Sequence, residues 1–185
     1  MRFAHFPLAV CLLTVLCTTI IAKDLKVPLE VGDMAPDFKL ETLEGKTITL
    51  TDTLKNGPAI VVVLRGFPGY QCPLCSRQVS SLIDSAKKFA SKDATVVLVY
   101  PGPDKNLDAR AREFLKETKL PDNFLLVTDP NFHFTSSYAL RWNAPSETAY
   151  PSTFIIDEGR NVLFARVSKS HGGRAKTKNV LKALK

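Results

Sequence analysis

Three short hydrophobic runs predict buried β-strands in the middle of the chain. Residues 59–64 (AIVVVL), 95–100 (TVVLVY) and 124–127 (FLLV) are almost free of polar side chains, and the first two are rich in β-branched residues. Runs of this length and composition are typical of strands that are covered on both faces. Apolar residues then recur at helical spacing over residues 73–90 and again over residues 107–118, which predicts two amphipathic helices.

Two further pairs of apolar segments predict β-hairpins, because each pair flanks an acidic residue followed by glycine. One pair is residues 38–40 and 47–50, and the other is residues 153–157 and 162–167. Strands that alternate with helices pair in parallel, whereas a terminal hairpin adds antiparallel strands. A short helix is predicted before the second hairpin and another after it. We therefore expect an α/β fold. Its central mixed β-sheet is flanked by helices and carries an N-terminal β-hairpin extension.

The N-terminus has the pattern of a secretory signal peptide. Arg2 precedes an apolar stretch over residues 6–21, which a small residue follows. The stretch is shorter than the roughly 20 residues that a membrane-spanning helix needs. We therefore expect a signal peptide at residues 1–22 and one domain at residues 23–185, with the mature protein secreted or periplasmic. The alternative is an uncleaved membrane anchor, because a bulky residue lies close to the cleavage point.

The charge distribution argues against a nucleic-acid-binding surface. The formal net charge is +7, but the lysines and arginines are scattered along the chain. Their densest group lies near the C-terminus, where a solvated helix face explains it. We therefore expect no nucleic-acid partner.

The candidate chemistry lies in Cys72-Pro73-Leu74-Cys75, between the first buried strand and the helix that follows it. Cys11 and Cys17 fall in the predicted leader, so the mature chain keeps only this pair. Proline suits the first position of a helix, which places Cys72 at the N-cap and Cys75 in the first turn. The positive end of the helix stabilises the reactive thiolate. A disulfide across so small a loop would stabilise the fold little, so we expect a redox pair.

This order of strand, turn, CxxC and helix resembles the redox site of thioredoxin-like folds. In those folds a cis-proline at the start of a core strand faces the CxxC and leaves backbone groups free for the substrate. Pro151, in Tyr150-Pro151-Ser152-Thr153-Phe154, matches that proline. The resemblance therefore implies a thioredoxin-like fold in which Pro151 is cis and binds the substrate.

The chain also resembles peroxiredoxins of the alkyl-hydroperoxide-reductase and thiol-specific-antioxidant type over most of residues 30–168. Residues 32–38 (GDMAPDF) look like their opening segment. Pro68 precedes Cys75 by seven residues, as in their Pro-x-x-x-Thr-x-x-Cys motif. The resemblance implies that Cys75 is the peroxidatic cysteine and that Pro68 shields it.

Two positions depart from the peroxiredoxin pattern. The threonine of the motif is Cys72 here, and the arginine of the late strand is Pro151. In the family both groups polarise the peroxide and stabilise the developing charge. Fast peroxide reduction would therefore need a replacement, and the candidates are Arg65, Arg141 and Arg174.

The second resemblance is to exported thioredoxin-like thiol–disulfide oxidoreductases, which share the CxxC and the proline segment. Tyr70 and Gln71 stand where that family has a tryptophan. This resemblance implies the opposite roles, with Cys72 as the nucleophile and Cys75 as the resolving thiol. Tyr70, Pro68 and Pro151 are the residues expected to contact the substrate.

Together these patterns predict an exported, thiol-dependent antioxidant oxidoreductase that reduces peroxides through a dithiol–disulfide cycle of Cys72 and Cys75. One alternative is a protein thiol–disulfide oxidoreductase. Another is a copper-binding protein of metallochaperone type, with His171 as a third ligand beside the two thiols. The expected partners are a peroxide or protein disulfide and an external thiol reductant. No cofactor is expected. Association with a membrane is expected only if the leader is uncleaved.

Overall fold

The computed structural model describes residues 24–184. The predicted signal peptide at residues 1–22, with Cys11 and Cys17, lies outside the described residues and stays a prediction. Within residues 24–184, no helix is both long enough and apolar enough to cross a bilayer.

A seven-stranded mixed sheet forms the centre of the molecule, in the order β2-β1-β5-β4-β3-β6-β7. The three buried runs form its parallel middle, β3, β4 and β5, and all other neighbours are antiparallel. Both predicted hairpins are present, so the predicted mixed sheet is confirmed. The strands are β1 Lys39–Thr42, β2 Thr47–Thr49, β3 Ala59–Val63, β4 Thr95–Gly102, β5 Phe124–Pro130, β6 Ser152–Ile156 and β7 Val162–Val167.

Within the described residues, six α-helices connect or flank these strands, and the first continues into a 3-10 turn at Leu54–Asn56. The single helix expected over residues 73–90 is two helices, because the chain bends at Asp84 and Ser85. The short helix before the second hairpin begins only at His133, because Phe132 has a left-handed backbone. The helices are α1 Leu50–Thr53, α2 Pro73–Ile83, α3 Ala86–Ala90, α4 Leu107–Leu115, α5 His133–Ser137 and α6 Thr177–Ala183.

Hydrophobic cores cover both faces of the sheet. Side chains alternate between faces along a strand, so Ile60 and Val62 of β3 pack in one core while Val61 and Val63 pack in the other. The first core contains residues of α2, α4 and α6, and the second contains residues of α1 and α5. This double burial explains why β3 consists of an uninterrupted apolar run.

Strand pairing brings three distant segments to one edge of the sheet. Val63 at the end of β3 pairs with Ser152 at the start of β6, and Ser152 pairs with Val167 at the end of β7. The loop after β3, the segment before β6 and the loop after β7 therefore meet at this edge. The loop after β3 leads directly into α2, which places the Cys72–Cys75 turn among them.

Candidate active site

The N-terminus of α2 carries both cysteines. Cys72 is the N-cap in an extended backbone conformation, and Pro73 is the first helical residue. The Cys72 sulfur accepts a hydrogen bond from the backbone N–H of Cys75 at 3.2 Å. A helix N-terminus offers unpaired N–H groups and a partial positive charge, both of which favour a thiolate. The predicted placement of the two thiols at the start of this helix is confirmed.

Both thiols are free and almost completely buried. Cys72 is 3% exposed and Cys75 is 1% exposed. They belong to the core that packs beneath α2, together with Leu64 and Val79. A buried thiolate is costly unless hydrogen-bond donors or positive charges surround it, so the neighbours of the sulfurs determine what the pair can do.

One guanidinium group contacts both sulfurs. Nη2 of Arg174 lies 3.5 Å from the Cys72 sulfur and 3.3 Å from the Cys75 sulfur. The backbone N–H of Arg65 donates a further hydrogen bond to the Cys75 sulfur at 3.4 Å. Among the three arginines considered from the sequence, Arg174 is therefore the one whose side chain faces the thiols. Arg141 donates to nearby backbone carbonyls instead.

These neighbours shift the pKa values of the two thiols in opposite directions. The pKa of Cys72 is lowered to about 6, chiefly by a hydrogen bond from the Cys75 thiol. The Cys75 backbone N–H and the positive charges of Arg174 and Arg65 lower it further, against the opposing effect of burial. Burial raises the pKa of the Cys75 thiol, and its hydrogen bond to Cys72 raises it further. These opposite shifts favour ionisation of Cys72 over Cys75, with the Cys75 thiol as the hydrogen-bond donor to it.

Two neutral groups hold the Arg174 guanidinium in place. Its Nε donates to the carbonyl of His171 at 3.1 Å, and its Nη1 donates to Oε1 of Gln78 at 2.8 Å. Gln78 also approaches the Thr153 hydroxyl of β6 at 3.5 Å. No pattern considered in the sequence singled out Gln78. Its position one helical turn after Cys75 is the signal that would have identified it.

The Glu147 carboxylate pairs with two basic side chains of the site. Oε2 of Glu147 accepts a hydrogen bond from Nε of Arg65 at 2.8 Å, and Oε1 lies 2.8 Å from Nε2 of His171. Burial opposes ionisation of Glu147, but the hydrogen bonds from Arg65 and His171 outweigh it and lower the pKa of this carboxyl. No local pattern marks Glu147 in the sequence, because Arg65 is 82 residues away from it.

The predicted copper ligands are not assembled. His171 binds Glu147, and its ring packs against Trp142 with centroids 5.2 Å apart. Across residues 24–184, no three His, Cys, Asp or Glu side chains converge in a group that could hold a metal ion. The carboxylate of Glu147 attracts the imidazole, so the sequence expectation that His171 joins the two thiols is not met.

Pro151 does not have the predicted conformation. It is buried just before β6, and no peptide bond in residues 24–184 is cis, so the prediction of a cis-proline is wrong. The carbonyl of Pro151 accepts from the N–H of Ser168, and the N–H of Tyr150 donates to the carbonyl of Leu140, both at 2.9 Å. The Tyr150 carbonyl accepts from the Ser152 hydroxyl at 2.7 Å. The Tyr150 N–H is therefore occupied within the chain, and each of the two carbonyls already accepts one hydrogen bond.

The other two expected substrate contacts lie in the loop between β3 and α2. Tyr70 is 50% exposed, and its hydroxyl accepts a hydrogen bond from Nη1 of Arg65. Pro68 is half-buried in the same loop. A contact of either residue with a substrate stays a prediction.

Comparison with known proteins places the chain among thiol oxidoreductases. The profile of the Redoxin family matches residues 30–184. Peroxiredoxin Bcp of Bacillus subtilis (strain 168) is 30% identical over 138 residues, which cover 71% of this chain and 82% of that protein. Putative peroxiredoxin Q, chloroplastic, of Oryza sativa subsp. indica is 29% identical over 72% of this chain, but the chain spans only 57% of that relative's length.

A relative named for a different activity matches a similar share of the chain. Thiol-disulfide oxidoreductase ResA of Bacillus subtilis (strain 168) is 29% identical over 71% of this chain and 64% of its own length. Among solved structures, Peroxidoxin BcpB from Mycobacterium tuberculosis superposes with a TM-score of 0.65 at 22% identity. The match covers 84% of this chain and 96% of that one. The structural likeness confirms the thioredoxin-like α/β fold.

Proposed function

This chain belongs to the Redoxin family and is a thiol-dependent oxidoreductase, and we propose that it reduces peroxides with the Cys72–Cys75 dithiol. The observation that carries the proposal is a buried dithiol under one guanidinium. Arg174 lies within 3.5 Å of both sulfurs, and neither cysteine is more than 3% exposed. The family comparisons support an oxidoreductase, and these contacts support the choice of substrate.

Burial favours a small oxidant over a protein disulfide. A thiolate attacks along the axis of the bond that it breaks, so a disulfide in a folded protein needs an exposed sulfur to approach. Cys72 and Cys75 are both inside the core, where a peroxide of a few atoms fits more readily. The backbone of Tyr150 and Pro151, which would otherwise anchor an extended peptide, is already hydrogen-bonded within the chain.

Arg174 provides what peroxide cleavage requires. As the O–O bond breaks, negative charge moves to the leaving oxygen, and a fixed positive group beside it lowers the barrier. Arg174 therefore has the role that, in the peroxiredoxin pattern, belongs to an arginine at the position of Pro151. Its charge also stabilises the Cys72 thiolate, the form that attacks.

The reaction then has two steps. In the first, the Cys72 thiolate attacks one peroxide oxygen, an S–O bond forms, the O–O bond breaks, and the leaving oxygen takes a proton from water. In the second, the Cys75 sulfur attacks the sulfenic acid on Cys72, and the Cys75 proton leaves with the hydroxyl as water. The net change is the reduction of one peroxide, hydrogen peroxide to two waters or an alkyl hydroperoxide to an alcohol and water. The Cys72 thiolate and the Cys75 thiol, with the one proton drawn from water, become one disulfide. An external thiol reductant returns the pair to the dithiol.

The acidities of the two thiols support Cys72 as the first nucleophile. Its lowered pKa gives a thiolate at neutral pH, whereas the raised pKa of Cys75 keeps the proton that the second step needs. This assignment is the one implied by the thioredoxin-like resemblance. The peroxiredoxin resemblance implies the reverse, with Cys75 attacking.

The proposal is tested by offering the reduced protein two oxidants separately, hydrogen peroxide and a folded protein with an accessible disulfide. We expect peroxide to oxidise the dithiol about a hundredfold or more faster than it oxidises free cysteine, the scale that one well-placed charged donor contributes. Intact-mass analysis should show one intramolecular disulfide and no retained oxygen. A peroxide rate equal to that of free cysteine, with rapid consumption of the protein disulfide, would reject the proposal.

That rejecting outcome corresponds to a second candidate function, thiol–disulfide exchange. Its support is the thiolate on the N-cap cysteine, because a low-pKa Cys72 followed by a protonated Cys75 suits attack on a disulfide and release of the mixed intermediate. The similarity to ResA is consistent with this activity. The burial of the sulfurs is the observation against it.

A further inference from the structure

Glu147 connects the two arginines of the site. One carboxylate oxygen pairs with Nε of Arg65 and the other with Nε2 of His171, each at 2.8 Å. The backbone carbonyl of His171 in turn accepts a hydrogen bond from Nε of Arg174 at 3.1 Å. A single side chain from the segment before β6 therefore binds both the loop after β3 and the loop after β7.

On the Arg65 side, the contact fixes a group that touches a reacting sulfur. The Arg65 side chain is only 4% exposed, and it donates to the Ser146 carbonyl at 2.8 Å as well as to Glu147. The backbone N–H of the same residue donates to the Cys75 sulfur. Since the side chain is held by residues 146 and 147, Glu147 restrains the position of this N–H.

On the His171 side, the contact fixes the loop that carries Arg174. The His171 side chain is 44% exposed, and its contacts are the Glu147 carboxylate and the ring of Trp142. Arg174 follows three residues later and returns to the His171 carbonyl. The anchoring of His171 thus restrains the loop from which the guanidinium reaches the sulfurs.

We propose that Glu147 is a positioning residue for the reaction, because its carboxylate holds Arg65 and the His171–Arg174 loop against the dithiol. This inference rests on the proposed function and concerns a carboxylate that touches neither the peroxide nor the sulfurs. Loss of the bridge lets the Arg174 guanidinium move away from Cys72. Small displacements of a charged donor weaken both thiolate stabilisation and the transition state.

When Glu147 is replaced, a positioning role and a simple charge effect predict shifts of opposite sign in the pKa of Cys72. Removing a negative charge near a thiolate lowers the thiol pKa, because one source of repulsion disappears. Removing the bridge raises the pKa of Cys72, because the positive charges are no longer held beside it. Glu147→Gln removes the charge but keeps an acceptor oxygen for Arg65. Its amide N–H can donate to His171 Nε2 in the other ring tautomer, whereas Glu147→Ala removes both contacts.

The test measures thiolate absorbance against pH, together with the peroxide oxidation rate on its high-pH plateau. We expect Glu147→Ala to raise the pKa of Cys72 by about one unit and to slow the plateau rate about tenfold. Glu147→Gln should leave the plateau rate near that of the wild type, with an unchanged or lowered pKa. Asp52→Asn removes a carboxylate of α1 from its exposed ion pair with Lys55 and should change neither quantity.

A second variant covers the case in which Glu147→Ala fails to fold because Arg65 loses its buried partner. His171→Ala alters an exposed side chain and leaves the Arg65–Glu147 pair intact, so it should raise the Cys72 pKa in the same direction by a smaller amount. A lowered pKa in Glu147→Ala, or wild-type pKa and rate in His171→Ala, would overturn the proposal. The pKa readout needs no peroxide, so a wild type that fails to reduce peroxide would reject the proposed function separately.

Discussion

At the scale of single residues, the chemistry depends on the charge beside two buried sulfurs. The partners of the Arg174 guanidinium are a carbonyl, an amide oxygen and the two sulfurs, none of which carries a full negative charge until a thiol ionises. Arg65, by contrast, is already paired with Glu147. Arg174 therefore supplies the positive charge that compensates the Cys72 thiolate.

Replacement of Arg174 by methionine should weaken both the thiolate and the transition state. A thiol is half ionised at its pKa, so the oxidation rate of the wild type should rise with pH through a midpoint at about 6 and level off at higher pH. Without the guanidinium the midpoint should move to higher pH by about one unit or more, and the plateau should fall about a hundredfold. Stopped-flow oxidation by hydrogen peroxide across the pH range measures both changes.

Arg77 provides the matched control for this experiment. It lies on the exposed side of the same helix as the cysteines, so Arg77→Met removes an equal charge close to them in sequence. The midpoint and the plateau should stay near the wild-type values. Equal effects of the two substitutions would mean that general positive charge, rather than the contact of Arg174 with the sulfurs, controls the reaction.

At the scale of elements, the sequence predicted what local patterns determine. The apolar run of β3 and the proline that begins α2 are signals carried by neighbouring residues. In the structure β3 has nearly the predicted bounds and α2 begins at the predicted residue. The bend between α2 and α3 was missed, because neither glycine nor proline marks Asp84 and Ser85. Helix ends without such residues depend on tertiary packing.

The parts of the site that the sequence could not predict are the ones made by long-range contacts. Arg174 is 99 residues from Cys75, and three arginines were equally suitable until the strand pairing was known. The prediction of a cis-proline was wrong because its conformation was taken from the resemblance to another family. In this chain the backbone beside the proline is held by the hydrogen bonds that Tyr150 makes with its own partners. Glu147 belongs to no local sequence motif, so its role could be recognised only from its contact with Arg65 in the structure.

The loop between β3 and α2 offers an element-scale prediction at Gly66. This residue has a φ of 66°, and an added Cβ would lie 1.8 Å from the carbonyl oxygen of Pro101 in β4. Gly66→Ala should therefore destabilise the reduced protein by about 1–3 kcal/mol through backbone strain alone, and more through the clash. It should also slow peroxide oxidation by displacing Arg65. Urea unfolding and stopped-flow oxidation measure the two effects.

A substitution at Gly69 in the same loop separates the effect of backbone strain from the effect of steric contact. Its φ is 116°, but apart from its chain neighbours no atom of residues 24–184 lies within 4 Å of the position that a Cβ would take. Gly69→Ala therefore carries the backbone strain without the clash. We expect a smaller loss of stability than for Gly66→Ala. If the Gly66 variant were as stable and as active as the wild type, close packing of this loop on β4 would not be what orders the site.

At the scale of the whole molecule, the antiparallel additions to the sheet create the site. The parallel strands β3 and β4 alone would present the Cys72–Cys75 turn at one edge, without the arginine that contacts it. Because β6 and β7 return to that edge, Glu147, His171 and Arg174 arrive from segments far away in sequence. The fold therefore buries both sulfurs and places the Arg174 guanidinium against them.

The most direct test of this mechanism is rapid mixing of the reduced protein with hydrogen peroxide, with Cys72→Ser and Cys75→Ser in parallel. We expect fast oxidation in the wild type, no fast phase in Cys72→Ser, and a fast first step in Cys75→Ser that stops at a sulfenic acid on Cys72. A fast phase that survives in Cys72→Ser and disappears in Cys75→Ser would contradict the assignment of Cys72 as the thiolate. It would make Cys75 the peroxidatic cysteine.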